Sequence, residues 1–282
     1  MRSQLKISNG VNDEPKISVV IPTYDKAQYL KKAVESVLNQ TYKETEVIVV
    51  DDGSTDNTKE IVESFNDSRI IYIFQENKGP AIARNTGIKK AQGRYIAFLD
   101  SDDLWLKEKL EKQIDFMEKN SEIGLLGTGC YEMTDKGKII GKKIFPIKNK
   151  ILQKDLIKYN PFIQSSIITK REVFDKVGLW YDEKFRESED YELWLRIAGN
   201  YKIGNLAELL VMKRYYRDGL SPVKDREQLY FVLEAKKTAV RRGQYPKWCY
   251  IYLLKSWIFM KIPFSWRKII RIYLLKKRFY KI

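Results

Sequence analysis

Three aspartates stand within four residues at Asp100, Asp102 and Asp103, directly after the apolar run Tyr95–Leu99. Carboxylates crowded so closely repel one another, so the arrangement calls for something that offsets their charge. In an extended backbone, residues two apart face the same side, which would point Asp100 and Asp102 into one site with Ser101 between them. Paired hard oxygens suit Mg2+ or Mn2+, which keep several waters and share their remaining positions with a substrate phosphate. A nucleotide diphosphate would complete such a shell. A bare D-x-D arises often by chance; its place after a buried strand gives it weight.

A second acidic group, Asp51-Asp52-Gly53-Ser54-Thr55-Asp56, offers another strand-end carboxylate. Asp52 could accept a hydrogen bond from a nucleobase ring N–H, which uracil and thymine both carry. The plainer alternative is a turn, in which Gly53 supplies a flexible backbone and Asp56 caps the next helix. A third group is Glu187-Ser188-Glu189-Asp190. Acids in a first helical turn stabilise the helix dipole by about 0.3–1 kcal/mol each. Adjacent carboxyls also raise one another's pKa by like-charge repulsion.

What is missing narrows the chemistry further. The 282-residue chain has no histidine, which removes imidazole bases and most zinc and iron sites, so acid–base and metal work must run mainly on carboxylates. Its two cysteines, Cys130 and Cys249, lie far apart, which makes neither a disulfide framework nor a zinc cluster and fits a reducing compartment. The first residues hold no apolar signal core, and a cytoplasmic protein is expected.

Elements must hold these acids in place. Lys16–Tyr24, Thr45–Val50 and Arg94–Asp100 read as buried strands and Ile70–Phe74 as a further strand, all rich in β-branched and aromatic residues. Helical patterns follow each, including one at 79–92 with Pro80 in its first turn and one at 104–119. Strand and helix alternate four times with short connections, which predicts an α/β fold with a mainly parallel sheet flanked by helices. Ligands of such sheets bind outside the carboxyl ends of the strands, where two of the acidic groups sit. Two such groups, each with more acids than a cap requires, weigh against capping alone. Residues 124–161 blur into Gly/Lys-rich turns and suggest a smaller mixed sheet. A helix then covers Leu193, Trp194 and Ile197, all facing inward.

Charge divides the chain. Residues 235–282 hold fourteen Lys and Arg and no acid, which leaves 38 basic against 37 acidic residues in the first 234. The tail therefore meets something anionic, whereas a nearly neutral body argues against a nucleic-acid module. Trp248–Met260 is apolar but falls short of the ~20 residues that span a bilayer. After Pro263, Trp266, Ile269, Ile270, Tyr273 and Leu274 recur at helical spacing, with Arg267, Lys268, Arg271 and Arg278 on the other side. A cationic amphipathic helix with aromatic anchors suits a membrane interface; packing on the protein or on another subunit is the alternative.

The stretches "SVVIPTYDKAQYLKKAVESVLNQTY", "EVIVVDDGSTDNT", "NKGPAIARNTGIKKAQGRYIAFLDSDD" and "ESEDYELWLR" resemble, in order and spacing, the family 2 glycosyltransferases of GT-A fold. The resemblance covers about residues 16–200. It implies metal-dependent, inverting sugar transfer from a nucleotide diphosphate sugar, with UDP the default and dTDP the alternative. By that likeness Pro22, Thr23, Tyr24 and Asp52 line the nucleoside pocket, and Arg84 approaches the donor. Asp100, Ser101, Asp102 and Asp103 handle ribose, diphosphate and the Mg2+ or Mn2+, the metal falling to Asp102 and Asp103. Asp190 corresponds to the base, with Glu189 beside it. The acceptor would be a glycan or a lipid-linked saccharide, met at the inner face of the cytoplasmic membrane through residues 246–282.

The implied organisation is an N-terminal extension at 1–15, a catalytic domain at 16–225 whose halves meet near residue 105, and a helical tail at 226–282. A sugar nucleotidyltransferase is the nearest rival, but the Gly-rich loop it needs after the first strand reads "PTYDKAQ" here.

Overall fold

The computed structural model describes residues 16–177, 180–215 and 222–279; the expected N-terminal extension lies outside them. Four strands, β1 (Ile17–Thr23), β2 (Thr45–Asp51), β3 (Ile70–Phe74) and β4 (Tyr95–Phe98), run parallel in the order β3-β2-β1-β4. Between them lie α1 (Ala27–Leu38), α2 (Thr58–Glu63) and α3 (Pro80–Lys90). Alternate strand residues bury on opposite faces, as a sheet covered on both sides requires. Val20, Ile48, Val50, Ile96 and Phe98 face one core, and Val19, Ile21, Val47, Val49 and Ala97 face the other. Helix α3 presses so close to β1 that a Cβ on Gly87 would lie 2.4 Å from a Val20 methyl.

The sheet continues past β4. After β5 (Leu104–Trp105) and α4 (Lys109–Lys119) come β6 (Ile123–Met133), β7 (Ile139–Lys143), α5 (Asn149–Leu156), β8 (Ile168–Lys170) and α6 (Arg171–Val177). Then follow α7 (Glu189–Ala198) and β9 (Lys202–Arg214). Antiparallel β8 pairs with β4 on one side and β6 on the other, and the order runs on as β8-β6-β9-β5, with β7 on β6. The mixed strands expected in the middle of the chain are therefore not a second small sheet but an extension of the first. Helix α4 also starts later than its apolar pattern predicts, because Leu104 and Trp105 pair with Met212 and Val211 of β9. That pairing takes the backbone groups a helix would need.

The tail forms α8 (Pro222–Arg241), α9 (Tyr250–Lys261) and α10 (Phe264–Phe279). Ala235, Ala239, Val240, Cys249 and Leu253 join the core that Leu193, Trp194 and Ile197 of α7 also enter. Helix α10 turns Arg267 inward and its large apolar residues outward, the opposite of what packing its apolar side on the protein would require. Arg267 is buried, 2.6 Å from the fully buried Asp225 of α8, and its Nη1 donates to the carbonyls of Met260 and Ile262. Trp266, Ile269 and Tyr273 instead face solvent, each about two-thirds exposed at 65, 66 and 64%. A buried carboxylate demands its partner more strongly than an amphipathic pattern demands burial, because leaving it unpaired costs about 3–5 kcal/mol. The side chains of Arg271, Leu274 and Arg278 lie outside the described residues. Among the described residues, no helix is long and apolar enough to cross a membrane.

Candidate active site

Strand order reverses between β1 and β4, and a cleft of about 250 Å3 opens there at the carboxyl ends of the strands. Pro22, Thr23, Tyr24, Asp52, Arg84, Asp100, Ser101 and Asp102 all line it. The parallel register sets Thr23 opposite Asp51, and the Asp52 N–H donates to the Thr23 carbonyl at 2.9 Å. Thr23 Oγ1 is buried and has no hydrogen-bond partner among the described residues. Such orphaned groups are rare, and a ligand entering the cleft would satisfy this one.

Asp52 is buried and already employed. Its Oδ1 accepts from Gln75 Nε2 at 2.6 Å and the Lys78 N–H at 3.0 Å, and its Oδ2 accepts from the Gly79 N–H at 2.8 Å. The carboxylate thus folds the 75–79 loop into α3, while Oδ2 keeps acceptor capacity for a ring N–H. Gly53, at φ 84°, makes room for that loop; a Cβ there would lie 2.9 Å from the Asn77 nitrogen.

The acidic run is not extended. The Asp103 N–H donates to the Asp100 carbonyl at 3.0 Å, closing a turn that sends the three carboxylates different ways. Asp100 accepts from Arg84 Nη2 at 2.9 Å, and Asp102 stays on the cleft wall. Asp103 does not reach the cleft: it is buried, and its two oxygens accept from the Arg214 N–H at 2.7 Å and the Ser165 hydroxyl at 2.6 Å. Burial pushes its carboxyl up to about 7. The metal role expected of Asp103 therefore meets a side chain tied into β9 and the 164–166 turn. Asp102 fits the ion better. Among the described residues no three carboxylate, cysteine or histidine groups make a cage, and a hard cation arriving with a diphosphate and waters needs only one or two carboxylates.

A second cavity, of about 1010 Å3, shares Arg84 and Asp100 with the cleft. Arg84 is the hinge-pin between them. Its Nη1 donates to Glu189 Oε1 at 2.5 Å while Nη2 holds Asp100, and the guanidinium lies 5.5 Å from the centre of the Tyr181 ring. Burial opposes its charge, but the two carboxylates outweigh burial and raise its pKa. Ser188, in a left-handed conformation at φ 60°, swings the chain so that Glu189 and Asp190 open α7. A non-glycine residue held there is strained, and such strain gathers at working sites.

Asp190 lines the large cavity. Its Oδ1 accepts from the Tyr191 N–H at 2.6 Å and its Oδ2 from Asn160 Nδ2 at 3.1 Å. Burial, helped by the Glu189 charge and opposed by Arg84, pushes its carboxyl up to about 6. A base poised near neutral pH is what proton abstraction from a hydroxyl requires. Glu189 turns to Arg84 instead. Sequence reasoning did not single out Asn160, Ser165, Gln75 or Lys213. Lys213 of β9 lines the same cavity, and Asp103, Asp100 and Asp190 raise its pKa against burial.

Comparison with known proteins follows the same outline. Residues 18–178 match the model described as glycosyl transferase family 2. Escherichia coli UDP-Glc:alpha-D-GlcNAc-diphosphoundecaprenol beta-1,3-glucosyltransferase WfgD is 37% identical over 204 residues, covering 72% of this chain and 78% of that one. Bacillus subtilis TuaG, named for teichuronic acid biosynthesis, is 32% identical over 256 residues, covering 87% and 97%. A Rickettsia conorii glycosyltransferase is 39% identical over 201 residues, and the chain spans only 33% of that relative's length.

Among solved structures, Staphylococcus aureus TarS 1–349 with UDP-GlcNAc superposes with a TM-score of 0.64 at 24% identity, covering 78% of this chain and 66% of that one. The Pyrobaculum calidifontis mannosyltransferase PcManGT, with GDP-Man and Mn2+, gives 0.65 at 18% identity, covering 90% and 72%. These likenesses carry the GT-A fold. The matched stretch runs from β1 to α6 and takes in both the strand-end cleft and the acidic turn, so the chain belongs to glycosyl transferase family 2.

Proposed function

We propose that this chain moves a sugar from a nucleotide diphosphate donor, a UDP-sugar, to a saccharide or lipid-linked acceptor with inversion, in the synthesis of a surface polysaccharide or glycan. The observation that carries the reading is Arg84, which links the carboxylate ending β4 to the one opening α7 and so joins a nucleotide-sized cleft to a cavity holding a poised acid. One chamber takes the donor and the other the acceptor, with their shared wall at the reacting carbon.

In this reading Thr23 Oγ1 and Asp52 Oδ2 receive the nucleoside, and Asp102 faces the diphosphate. Asp190 takes the proton from the acceptor hydroxyl as that oxygen attacks the anomeric carbon and the bond to the β-phosphate breaks. Asn160 and the Tyr191 N–H fix the Asp190 carboxylate, so little reorganisation is needed at the moment of transfer. A divalent cation, Mg2+ or Mn2+, when held by Asp102, would offset the charge that grows on the departing diphosphate. The exposed aromatic and basic surface of α9 and α10 supports peripheral contact with the inner face of the cytoplasmic membrane, where lipid-linked acceptors are met. WfgD is named for a diphosphoundecaprenol acceptor.

The test is a panel of UDP-, dTDP- and GDP-sugars with Mn2+, scored by thermal shift and then by linkage analysis of the product. Stabilisation by a UDP-sugar followed by an inverted linkage is the expected result. Indifference to every nucleotide sugar would remove the proposal.

A further inference from the structure

The Asp52 carboxylate has little acceptor capacity left. Its two oxygens offer about four lone-pair sites. Among the described residues three of these are taken. Oδ1 accepts from Gln75 Nε2 at 2.6 Å and from the Lys78 N–H at 3.0 Å, and Oδ2 accepts from the Gly79 N–H at 2.8 Å. The one site that remains is on Oδ2. A base entering the strand-end cleft, whose wall includes Asp52, therefore meets a single acceptor and not a two-oxygen fork.

Two of those donors are backbone N–H groups, which do not depend on the side chains of the loop. Gln75 is the side chain among them, and it is held from both ends. Its backbone N–H donates to the Asp51 carbonyl at 2.9 Å, carrying the pairing of β2 with β3 one residue past Phe74. Its Oε1 accepts from the Thr86 hydroxyl of α3 at 2.7 Å. An ionised carboxylate only accepts, so the amide must turn its NH2 toward Asp52 and its oxygen toward Thr86. Nucleobases differ in what they bring to such an acceptor. Uracil and thymine carry one ring N–H between two carbonyls. Guanine carries a ring N–H beside an amino group, a parallel pair of donors that suits a carboxylate with both oxygens open. At Asp52 the second of that pair would face an oxygen already filled by Gln75 and go unpaired, which selects against guanine.

We propose that Gln75, set by Thr86, is a positioning residue that decides the base of the donor. By filling Asp52 Oδ1 it leaves a place for the lone ring N–H of uracil or thymine and turns guanine away. The inference rests on the glycosyl-transfer reading and gives its donor a physical reason to carry UDP and not GDP.

The probes are UDP, GDP and inosine diphosphate, each titrated with Mn2+ against the full chain as wild type, Gln75→Ala and Thr86→Val. Inosine diphosphate is a purine of guanine's shape with the ring N–H but no amino group, so its ratio to GDP isolates the second donor at nearly constant size. The wild type should bind UDP at least about tenfold tighter than GDP, and inosine diphosphate should also outbind GDP. Gln75→Ala opens Oδ1, so GDP should gain at least about tenfold relative to inosine diphosphate, and Thr86→Val should move the same ratio the same way by less. A role confined to folding the loop would weaken all three nucleotides alike. That result, an unchanged ratio, or no purine binding at all in folded Gln75→Ala overturns the proposal. If Gln75→Ala fails to fold, the ratio in Thr86→Val decides by the same outcomes. A wild type that binds GDP as tightly as UDP overturns it too, while sugar transfer from a nucleotide donor stands. A wild type that binds none of the three removes the glycosyl-transfer reading, and this inference with it.

Discussion

At the scale of single residues, protonation decides what the site can do. Asp190 works as a base only when ionised, and burial places that ionisation near pH 6. The rate should therefore rise about tenfold per pH unit below that point and level off above it, in a kcat/KM profile taken at saturating Mn2+. Asp190→Asn should lower kcat by about 10²–10⁴-fold while UDP affinity and melting temperature stay close to wild type. Asp102→Asn should instead weaken the Mn2+-dependent part of UDP binding as well as turnover, measured by titration with and without the ion. Persistence of Mn2+-enhanced UDP binding in that variant would remove Asp102 from the ion's shell.

The acids were legible in the sequence because three carboxylates crowded at a strand end need an explanation before any coordinates exist. Their orientation was not, since neighbours in sequence part company at a turn, as Asp102 and Asp103 do. Asn160, Ser165 and Lys213 were invisible for another reason: they reach the site from separate elements, and only tertiary folding brings them there.

At the scale of elements, the loop between β3 and α3 depends on one glycine. Gly53→Ala would place a Cβ 2.9 Å from the Asn77 nitrogen at a φ of 84°. The variant should lose about 1–3 kcal/mol of stability by thermal melt. It should also bind UDP more weakly, because the loop it displaces is the one Asp52 holds. An unchanged melt and unchanged UDP affinity would show that the loop can yield without cost. Strands β1, β2 and β4 were readable because parallel strands buried on both faces make continuous apolar runs, while the edge strand β3 keeps its apolar run though Ile71 and Phe74 are exposed. The later strands were not, since β6 and β8 take their partners from across the chain and β6 carries glycines where its neighbours crowd. Gly129, for instance, leaves no room for a Cβ, which would sit 2.5 Å from a Leu209 methyl. The same pairing logic shortened α4, whose first residues went to β9.

At the scale of the molecule, the uneven charge found its counterpart in an uneven surface. Trp248, Trp257 and Trp266 stand exposed on the basic C-terminal helices, at 63, 47 and 65%. The full chain should co-sediment with phosphatidylglycerol vesicles, release them as salt rises, and lose affinity when Trp257 and Trp266 are both changed to alanine. Equal binding to neutral vesicles in high salt would count against the electrostatic part of that contact. The sequence foretold an amphipathic tail but not the ion pair that seats α10, because the partner of Arg267 is Asp225, a single buried acid on another helix.

Because β8 stitches β4 to β6, a continuous ladder of backbone hydrogen bonds stands behind both chambers. Such a backplate resists folding along its middle, so the two halves cannot shut on a substrate like jaws. Adaptation to cargo must come from loops and helices riding on a stiff wall, and small-angle scattering should return the same envelope with nucleotide and without it.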